Sequence, residues 1–313
     1  MRTIQLLCKS RDDLYVSNKI ILSNQEREKD ASLEILFGGP LGLLDPHHPA
    51  VDPELQRRIL HDRYHNVLIA DGLETGHFFY DHQNILRFQT KLPIHSFAGF
   101  IFEAFAVNKF NDNMRTIGKK AFSWCTNRTQ CKDDYIDQFK VIGTGFVTTK
   151  SMYPQFYSPQ NNFDLQFIRR NLKLHIDEHA TVLGTTNAAG IQVKAITGAE
   201  LEDIIIPLRT GKYSHVLTFL RHYDGVHSYN RCIDLLNSMY KSGQLELSEK
   251  YEIERRIAHP EMFGIDQREV DDYYQYIKYW FSGHANPDQF ISEGVGLEVK
   301  GYKYQNGLLV PSN

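Results

Sequence analysis

The chain lacks the sequence features that would assign it to membrane, secreted or nucleotide-driven proteins. No run of about eighteen apolar residues occurs, so we expect no membrane-spanning helix and no membrane partner. Residues 1–9 contain too short an apolar stretch for a secretory signal, and we therefore expect a cytoplasmic protein. Neither a P-loop nor a Gly-x-Gly-x-x-Gly pattern is present, which argues against a nucleotide motor.

Cysteine is scarce, and its spacing argues against a structural zinc site. Four cysteines occur among 313 residues, and only Cys125 and Cys131 lie close together in sequence. A single such pair without a second pair nearby does not match zinc-binding spacings, so we expect free thiols. Histidine is more common, and His61 and His65 would share one face of a helix. They lack the Glu of a His-Glu-x-x-His motif and an obvious third ligand, so we predict no zinc centre there.

Charge is balanced rather than strongly basic. The net charge is −3, with 42% hydrophobic and 23% charged residues, which is ordinary for a globular protein and argues against non-specific coating of nucleic acid. Local basic clusters can still hold a phosphate backbone. Two such clusters are candidates for contact with nucleic acid: Arg169, Arg170 and Lys173, and Arg115, Lys119 and Lys120.

Residues 177–197 carry the most informative pattern in the chain. Residues 182–183, a turn rich in Thr, Asn and Gly, and then residues 191–196 predict two short strands joined in a hairpin. Because strand side chains alternate between faces, Gln192 and Lys194 would stand side by side. We expect Asp177, from the preceding strand, to bring a carboxylate to the same place. Oxygen ligands beside an ammonium group are suited to holding a divalent cation and a water against a phosphodiester.

Upstream, residues 97–107 predict a helix that is apolar on all sides and therefore buried. Ser96 is placed to cap its first turn. Glu103 is the only charged residue in this stretch, and its neighbours three and four positions away are uncharged. A buried carboxylate is costly unless it is paired or coordinates a metal. Glu103 is therefore a candidate metal ligand; a carboxylate that reaches the helix edge, or pairs with a distant Arg, is the structural alternative.

Asp177, fourteen intervening residues and the triplet Gln192-Val193-Lys194 resemble the motif of the PD-(D/E)XK, or restriction endonuclease-like, superfamily. Gly99 and Glu103 are similar to the Gly-x-x-x-Glu setting that is common in the first core helix of that superfamily. The chain departs from the pattern in two places, because Ile176 stands where the motif has Pro and the triplet begins with Gln. An amide oxygen carries no charge, so weaker metal binding is expected.

The resemblance implies an α/β fold with a mixed central sheet flanked by helices, and a DNA endonuclease that uses Mg²⁺ or Mn²⁺. It implies Asp177 as the central metal ligand, Gln192 and the Val193 carbonyl as further ligands, and Glu103 as a ligand of a second metal. Lys194 would orient the attacking water or stabilise the charged phosphorus centre. The implied setting is restriction or antiviral defence, as a homodimer or with the partner subunits of a defence complex.

The sequence leaves alternatives open for the site and for the function. Glu178, and Asp164 if it opens an earlier strand, are alternatives for the central ligand. Pro287-Asp288, followed after nine residues by Glu298-Val299-Lys300, matches the motif more literally. Only thirteen residues follow that triplet, too few to complete the core, so we interpret it as a decoy. The alternative function is a non-catalytic nucleic-acid-binding or protein-interaction module on a degenerate nuclease fold.

The predicted elements divide the chain into three parts. We predict an N-terminal accessory region over residues 1–94, a nuclease-like core over 95–240 with an insertion at about 111–160, and a helical C-terminal region over 241–313. Strands are predicted at residues 4–8, 20–22, 67–70, 78–80 and 213–220, and helices at 228–240, 249–258 and 267–280.

Overall fold

The structure, a computed structural model, describes residues 2–9, 15–22, 46–47, 51, 53–88, 92–159, 162–171, 174–282, 297–299, 302–305 and 308–311. The chain divides into two compact units. We call Ala70–Asp271 the sheet unit, and Met1–Ile69 together with Asp272–Asn313 the terminal unit. The predicted core, residues 95–240, lies inside the sheet unit, which extends beyond it at both ends.

The described strands are numbered in chain order. They are β1 (Arg2–Lys9), β2 (Tyr15–Leu22), β3 (Phe78–Tyr80), β4 (Leu86–Phe88), β5 (Phe139–Gly143), β6 (Leu165–Asn171), β7 (Ile176–His179), β8 (Gly190–Lys194), β9 (Val216–Thr218), β10 (Ile257–Ala258), β11 (Leu297–Val299), β12 (Tyr302–Gln305) and β13 (Leu308–Pro311).

The described α-helices are numbered in the same way. They are α1 (Pro53–Thr75), α2 (Ile94–Asp112), α3 (Lys119–Thr126), α4 (Asp133–Ile136), α5 (Val147–Met152), α6 (Ile206–Arg209), α7 (Ser228–Lys241), α8 (Leu247–Glu254), α9 (Pro260–Phe263) and α10 (Gln267–Phe281). π-Helical turns precede α3, at Met114–Gly118, and α6, at Leu201–Ile205, and a 3₁₀ turn spans Pro154–Phe156.

A mixed six-stranded sheet forms the centre of the sheet unit, which confirms the predicted fold class at this coarse level. Its strands follow the order β10-β9-β8-β6-β5, and β7 also pairs with β6. Strand β9 is parallel to β8 and to β10, whereas β5, β7 and β8 are antiparallel to β6. Helix α2 packs against β5 and β8. The sheet is therefore flanked by the helix that carries Glu103.

The predicted hairpin lies along one edge of β6. Strand β8 pairs with the beginning of β6, where Leu165 is opposite Ile191, and β7 pairs with its end, where Arg170 is opposite Asp177. An isolated bridge between Thr181 and Ala188 joins the two segments across the turn. The turn prediction is confirmed, but residues 182–183, predicted as a strand, belong to the turn region that follows the Thr181 bridge. Strands β7 and β8 meet different parts of β6. This register decides which carboxylate reaches Gln192.

Helix α2 is longer than the predicted 97–107 and is not buried on all sides. Pro93 occupies the N-cap position, so the prediction that Ser96 caps the helix is wrong. Near the other end, the Asn111 side chain donates to the Val141 carbonyl at 2.9 Å and accepts from the Val141 amide at 2.8 Å, which fastens the helix to β5. Phe100 is 39% exposed, so one face of α2 opens to solvent.

Three predictions about segments need correction. Residues 67–70 belong to α1 rather than to a strand, because a short apolar run does not distinguish helix from strand. The predicted insertion at about 111–160 contains β5, which is a strand of the central sheet. The helical prediction for 241–313 holds for α8, α9 and α10. It fails at residues 257–258, which form β10 rather than the end of a helix, and at β11, β12 and β13, which form an antiparallel sheet. The other predicted strands and helices are present, with shifted ends.

In the terminal unit, His61 and His65 lie on one face of α1, as predicted. Nδ1 of each imidazole is 3.0 Å from the hydroxyl of Tyr276 on α10, and the two ring centroids are 4.5 Å apart. Burial, followed by the charges of His65 and Arg58, lowers the pKa of His61 to about 4. Tyr276 thus serves as the shared hydrogen-bond partner of both rings.

Cys125, Cys131 and Cys232 are free and buried, which confirms the thiol prediction for these three residues. The Cys8 side chain lies outside what the structure describes. Across the described part of the chain, every helix is too short or too polar to cross a membrane.

Candidate active site

Asp164 is held at the start of β6 by backbone hydrogen bonds to both neighbouring strands. Its amide donates to the Ile191 carbonyl at 3.0 Å, and its carbonyl accepts from the Thr144 amide at 2.7 Å. Its carboxylate faces β8, where Oδ2 accepts from Gln192 Nε2 at 2.5 Å and from the Val193 amide at 2.8 Å. The register of β6 and β8 therefore places a carboxylate beside the Gln192 triplet.

The side-chain amide of Gln192 is oriented by the Asp164 carboxylate. An ionised carboxylate only accepts hydrogen bonds, so the NH₂ group of Gln192 turns towards Asp164 and Oε1 turns away. Within the described residues, Oε1 is buried and has no hydrogen-bond partner. Leaving a buried acceptor unsatisfied costs about 1–3 kcal/mol. An electropositive partner for this oxygen would recover that energy.

The backbone of β8 directs the Val193 carbonyl to the same edge. The backbone amide of Gln192 donates to the His215 carbonyl at 2.9 Å, and the Lys194 carbonyl accepts from the Phe219 amide at 3.1 Å. Both of these backbone groups point towards β9. Backbone groups of successive strand residues point to alternate sides. The amide and the carbonyl of Val193 therefore point away from β9, to the side where Asp164 accepts the Val193 amide.

Glu103, on α2, belongs to the same group of charges. Burial raises its pKa well above the usual range; the Asp164 charge raises it further, and the Lys194 charge opposes the shift. Burial also raises the pKa of Asp164 to about 6, against the lowering effects of the Val193 amide, Lys194 and Gln192. The residue Glu103 keeps a partly exposed surface although its carboxyl is desolvated. Two carboxyl groups thus share one poorly hydrated region.

Lys194 is the cation of this group. It is partly buried, and its Nζ lies 5.2 Å from the centroid of the Tyr213 ring. Its charge acts on both Glu103 and Asp164. The structure therefore brings together four predicted site residues, Glu103, Gln192, Val193 and Lys194, around an aspartate that the sequence offered as an alternative.

Asp177, the carboxylate expected beside Gln192, lies elsewhere on the sheet. It is paired in register with Arg170, and its Oδ2 is 3.1 Å from Arg170 Nη1. Arg170 is five residues along β6 from Leu165, or about 16 Å at the usual strand rise. The expected position of Asp177 is therefore corrected: Asp164 occupies the place beside Gln192. Glu178 also pairs outside the site, with Arg169 at 3.4 Å.

The candidate nucleic-acid contacts are mostly engaged with acidic residues. Arg169 and Arg170 pair with Glu178 and Asp177, as above, and Lys119 pairs with Asp133 at 2.7 Å. Arg115 forms two hydrogen bonds to Asp137. Lys173 lies outside the described residues, as do Pro287, Asp288 and Lys300 of the second motif match. Lys120 lies near Gly264 of the sheet unit. Among those of these basic residues that the structure describes, none is found in contact with Asp164 or Glu103.

Sequence analysis placed Asp177 beside Gln192 because it relied on the separation of the two residues along the chain rather than on strand register. The available signal was weak: residues 165–168, Leu-Gln-Phe-Ile, are a short and mostly apolar run that forms the buried start of β6. A polar residue directly before such a run marks a strand end, where a side chain can face a site.

A divalent cation fits this group of residues. Mg²⁺ prefers oxygen ligands and commonly binds through only one or two carboxylates, keeping several waters. The group offers two carboxylates, the unsatisfied Gln192 Oε1 and the Val193 carbonyl. A group of three or more His, Cys, Asp or Glu side chains suited to a metal is not found among the described residues. The fit therefore rests on a mixed set of carboxylate, amide and carbonyl oxygens.

Comparison of the chain with protein-family models, with curated proteins and with solved structures finds no match in any of the three.

Proposed function

We propose that the sheet unit is a Mg²⁺-dependent nuclease that hydrolyses phosphodiester bonds in DNA. We further propose that it is a divergent member of the PD-(D/E)XK superfamily in which Asp164, rather than Asp177, is the central carboxylate. One observation carries the proposal: Asp164 Oδ2 accepts from both Gln192 and the Val193 amide while its charge acts on Glu103. The coarse fold, a mixed sheet flanked by helices, is compatible with this assignment.

Asp164, Glu103, Gln192 Oε1 and the Val193 carbonyl would hold the cation. When bound, a divalent ion supplies charge that lowers the pKa of a bound water and offsets negative charge on a phosphoryl oxygen. Without it, burial raises the pKa of both carboxyl groups, and the Asp164 charge raises that of Glu103 further. Deprotonation of the pair and occupation by a cation are therefore linked.

In this proposal Lys194 stabilises negative charge electrostatically and does not transfer a proton. Its ammonium lies near both carboxylates and faces the same region as Gln192, because the two residues alternate with Val193 on β8. Negative charge grows on the phosphoryl oxygens as the water attacks, and a fixed ammonium stabilises that charge most in the transition state. Gln192 holds Asp164 in place through its NH₂ group and presents Oε1.

The rival function is a module that binds nucleic acid or protein without cleaving. It is favoured by one observation, that the site offers only two carboxylates and no larger group of His, Cys, Asp or Glu in the described part of the chain. A site that holds Mg²⁺ weakly, or not at all, would retain the fold and lose the chemistry.

The proposal is tested by cleavage of supercoiled and linear DNA with Mg²⁺, comparing wild type, Asp164→Asn and Asp177→Asn. Both substitutions replace one carboxylate with an amide of the same shape, so they form a matched pair. We expect wild type and Asp177→Asn to cleave at similar rates and Asp164→Asn to be inactive. Loss of activity only in Asp177→Asn would overturn the assignment, and DNA binding without cleavage by wild type would support the rival.

A further inference from the structure

The ammonium group of Lys194 contacts an aromatic ring rather than a carboxylate. Its Nζ lies 5.2 Å from the centroid of the Tyr213 ring, within the range of a cation–π contact. No ion pair or hydrogen bond of this Nζ is found among the described residues, although its charge acts on Glu103 and Asp164. In the described part of the chain, the Tyr213 ring is therefore the group that this ammonium contacts directly.

The Tyr213 side chain is fixed in place by its surroundings. It is 7% exposed and belongs to a buried apolar cluster with Ile205 and Leu208. Gly211, at a φ of +76° that glycine adopts at little cost, turns the chain after α6. The Tyr213 amide then donates to the Pro207 carbonyl at 3.2 Å. The ring therefore offers a fixed surface to the flexible side chain of a lysine.

Tyr213 offers Lys194 the face of its ring rather than its hydroxyl. No hydrogen bond of that hydroxyl is found within the described residues. The face of an aromatic ring carries negative potential without a net charge, so it attracts a cation and leaves the charge of that cation uncompensated. An ion pair with Glu103 or Asp164 would instead neutralise the ammonium. The ring contact thus preserves the charge that a phosphate would meet.

Lys212 provides a comparison on the same ring. Its Nζ also lies 5.2 Å from the centroid of the Tyr213 ring, but Lys212 is exposed. Its charge is not among those that act on the carboxyl groups of Glu103 and Asp164. Of these two lysines, Lys194 alone combines the ring contact with proximity to both carboxylates.

We propose that Tyr213 is a positioning residue, whose ring face holds the Lys194 ammonium beside Asp164 and Glu103 and keeps it from pairing with either carboxylate. The inference rests on the proposed function, which assigns Lys194 the stabilisation of charge on a phosphoryl group. A lysine has a flexible four-carbon stem, and a displacement of about 1 Å at a reacting centre can lower a rate about a hundredfold. Because the charge develops in the transition state, loss of the ring contact should lower kcat and leave KM nearly unchanged.

Fluorination of the ring at position 213 tests the contact while nearly preserving the shape of the side chain. The series starts from Tyr213→Phe in the full chain and continues with phenylalanine analogues that carry one, two and three ring fluorines, which withdraw electron density from the ring face. Cleavage of one DNA substrate with Mg²⁺ gives kcat and KM for each variant. We expect Tyr213→Phe to cleave like wild type, and kcat to fall with each added fluorine by roughly two- to thirtyfold in total.

Urea unfolding of the metal-free chain measures the same contact without requiring cleavage. The fluorine series is repeated in Lys194→Met and in Lys212→Met, a matched pair because methionine keeps an unbranched side chain and removes the charge. Cation–π contacts are weaker at exposed positions than at desolvated ones. The shift of the urea midpoint on fluorination should therefore be largely retained in Lys212→Met and largely lost in Lys194→Met. Lys212→Met should also cleave DNA like wild type.

Three results would overturn the inference. A kcat that is constant across the fluorine series would show that the ring face does not act through Lys194. A midpoint shift of equal size in wild type and in Lys194→Met would assign the ring a purely structural role. A shift that disappears in Lys212→Met instead would assign the ring to that lysine.

Failure of the inference is distinguishable from failure of the proposed function. Cleavage of DNA that does not respond to fluorination overturns this inference alone. A midpoint shift that depends on Lys194, in a chain that does not cleave DNA, overturns the nuclease assignment and leaves the contact between the ring and the ammonium in place.

Discussion

The two ends of β6 carry similar residue types in opposite environments. At its beginning, the inner site (Asp164 with Gln192 and Lys194) lies under α2, and burial raises the pKa of Asp164 to about 6. At its end, the outer pair (Arg170 with Asp177) is joined by an ordinary ion pair at 3.1 Å, with more than half of the Arg170 side chain exposed. The comparison shows that the value of a carboxylate to a site depends on burial and register more than on its residue type.

The charges of the outer pair are neutralised, whereas the inner site has incompletely compensated charge and an acceptor without a hydrogen-bond partner in the described structure. Arg170 neutralises Asp177 directly, and Lys140 lies close enough for its pKa to respond to the Asp177 charge. In the inner site, two carboxylates share Lys194, and Gln192 Oε1 has no partner in the described structure. An incompletely compensated buried group is the kind of arrangement found at functional sites.

The largest difference between the two ends should appear in catalysis. Lys194→Ala should lower the cleavage rate with Mg²⁺ by roughly a hundredfold or more, because it removes a cation that acts on transition-state charge. Lys140→Ala, at the outer end, is the matched control and should cleave like wild type. Steady-state rates on a single DNA substrate, with melting temperatures to confirm folding, provide the measurement. Equal rates for wild type and Lys194→Ala would remove this lysine from the mechanism.

The contribution of Asp164 to stability should fall as the pH rises, whereas that of a typical ion-paired carboxylate rises with pH. The folded pKa of Asp164 is about 6, above its usual 3.8, so the folded state holds the proton more tightly than the unfolded state. Its stabilising contribution is present below pH 4 and is lost as the pH rises through 6, on the order of 3 kcal/mol. Asp164→Asn cannot titrate and should lack this loss.

Urea unfolding of both metal-free proteins between pH 4 and pH 8 measures this difference. Groups distant from Asp164 cancel in the comparison, whereas Glu103, whose pKa the Asp164 charge raises, contributes to the difference in the same direction. A stability difference between wild type and Asp164→Asn that does not change with pH would show that the carboxylate is not desolvated. Asp177→Asn, at the outer end, should track wild type throughout.

Substitution of Glu103 distinguishes a role in metal binding from a role in stabilising the fold. Glu103→Gln removes one of the two repelling charges, so the metal-free protein should be as stable as wild type or more stable. Mg²⁺ should then raise the melting temperature of wild type more than that of the variant, because a ligand that binds the folded state stabilises it by mass action. A loss of stability that is the same with Mg²⁺ and with a chelator would assign Glu103 a purely structural role.

The smallest effect belongs to the outer pair. Asp177→Asn removes an ion pair whose arginine is largely exposed, and such pairs contribute about 0–1 kcal/mol. We expect a change in the free energy of unfolding within that range, with an effect that diminishes in high salt. Urea unfolding at low and high salt measures it. A loss of several kcal/mol in the free energy of unfolding would show that the outer pair is not an ordinary surface ion pair. It would contradict the contrast drawn between the two ends of β6.

Local pattern predicted the helix around Glu103, the Gln192 triplet and the turn before it, because these depend on periodicity and turn residues over short stretches. The partner carboxylate was harder to identify. Asp164 and Gln192 are separated by 28 positions, and only the pairing of β6 with β8 brings them together. A sequence motif does not specify strand register, yet the register determines which side chains lie beside each other. The exposure of Phe100 was also missed, since an apolar helix gives no sign of which face remains uncovered.

Direct binding of Mn²⁺ tests the central claim most closely. Titration calorimetry at pH 8, where the Asp164 carboxyl is ionised, compares wild type with Asp164→Asn and Asp177→Asn. We predict that wild type and Asp177→Asn bind Mn²⁺ with similar affinity, and that binding is lost or greatly weakened in Asp164→Asn. Binding that survives in Asp164→Asn and disappears in Asp177→Asn, or no binding by wild type, would contradict the assignment of the inner site as a metal centre.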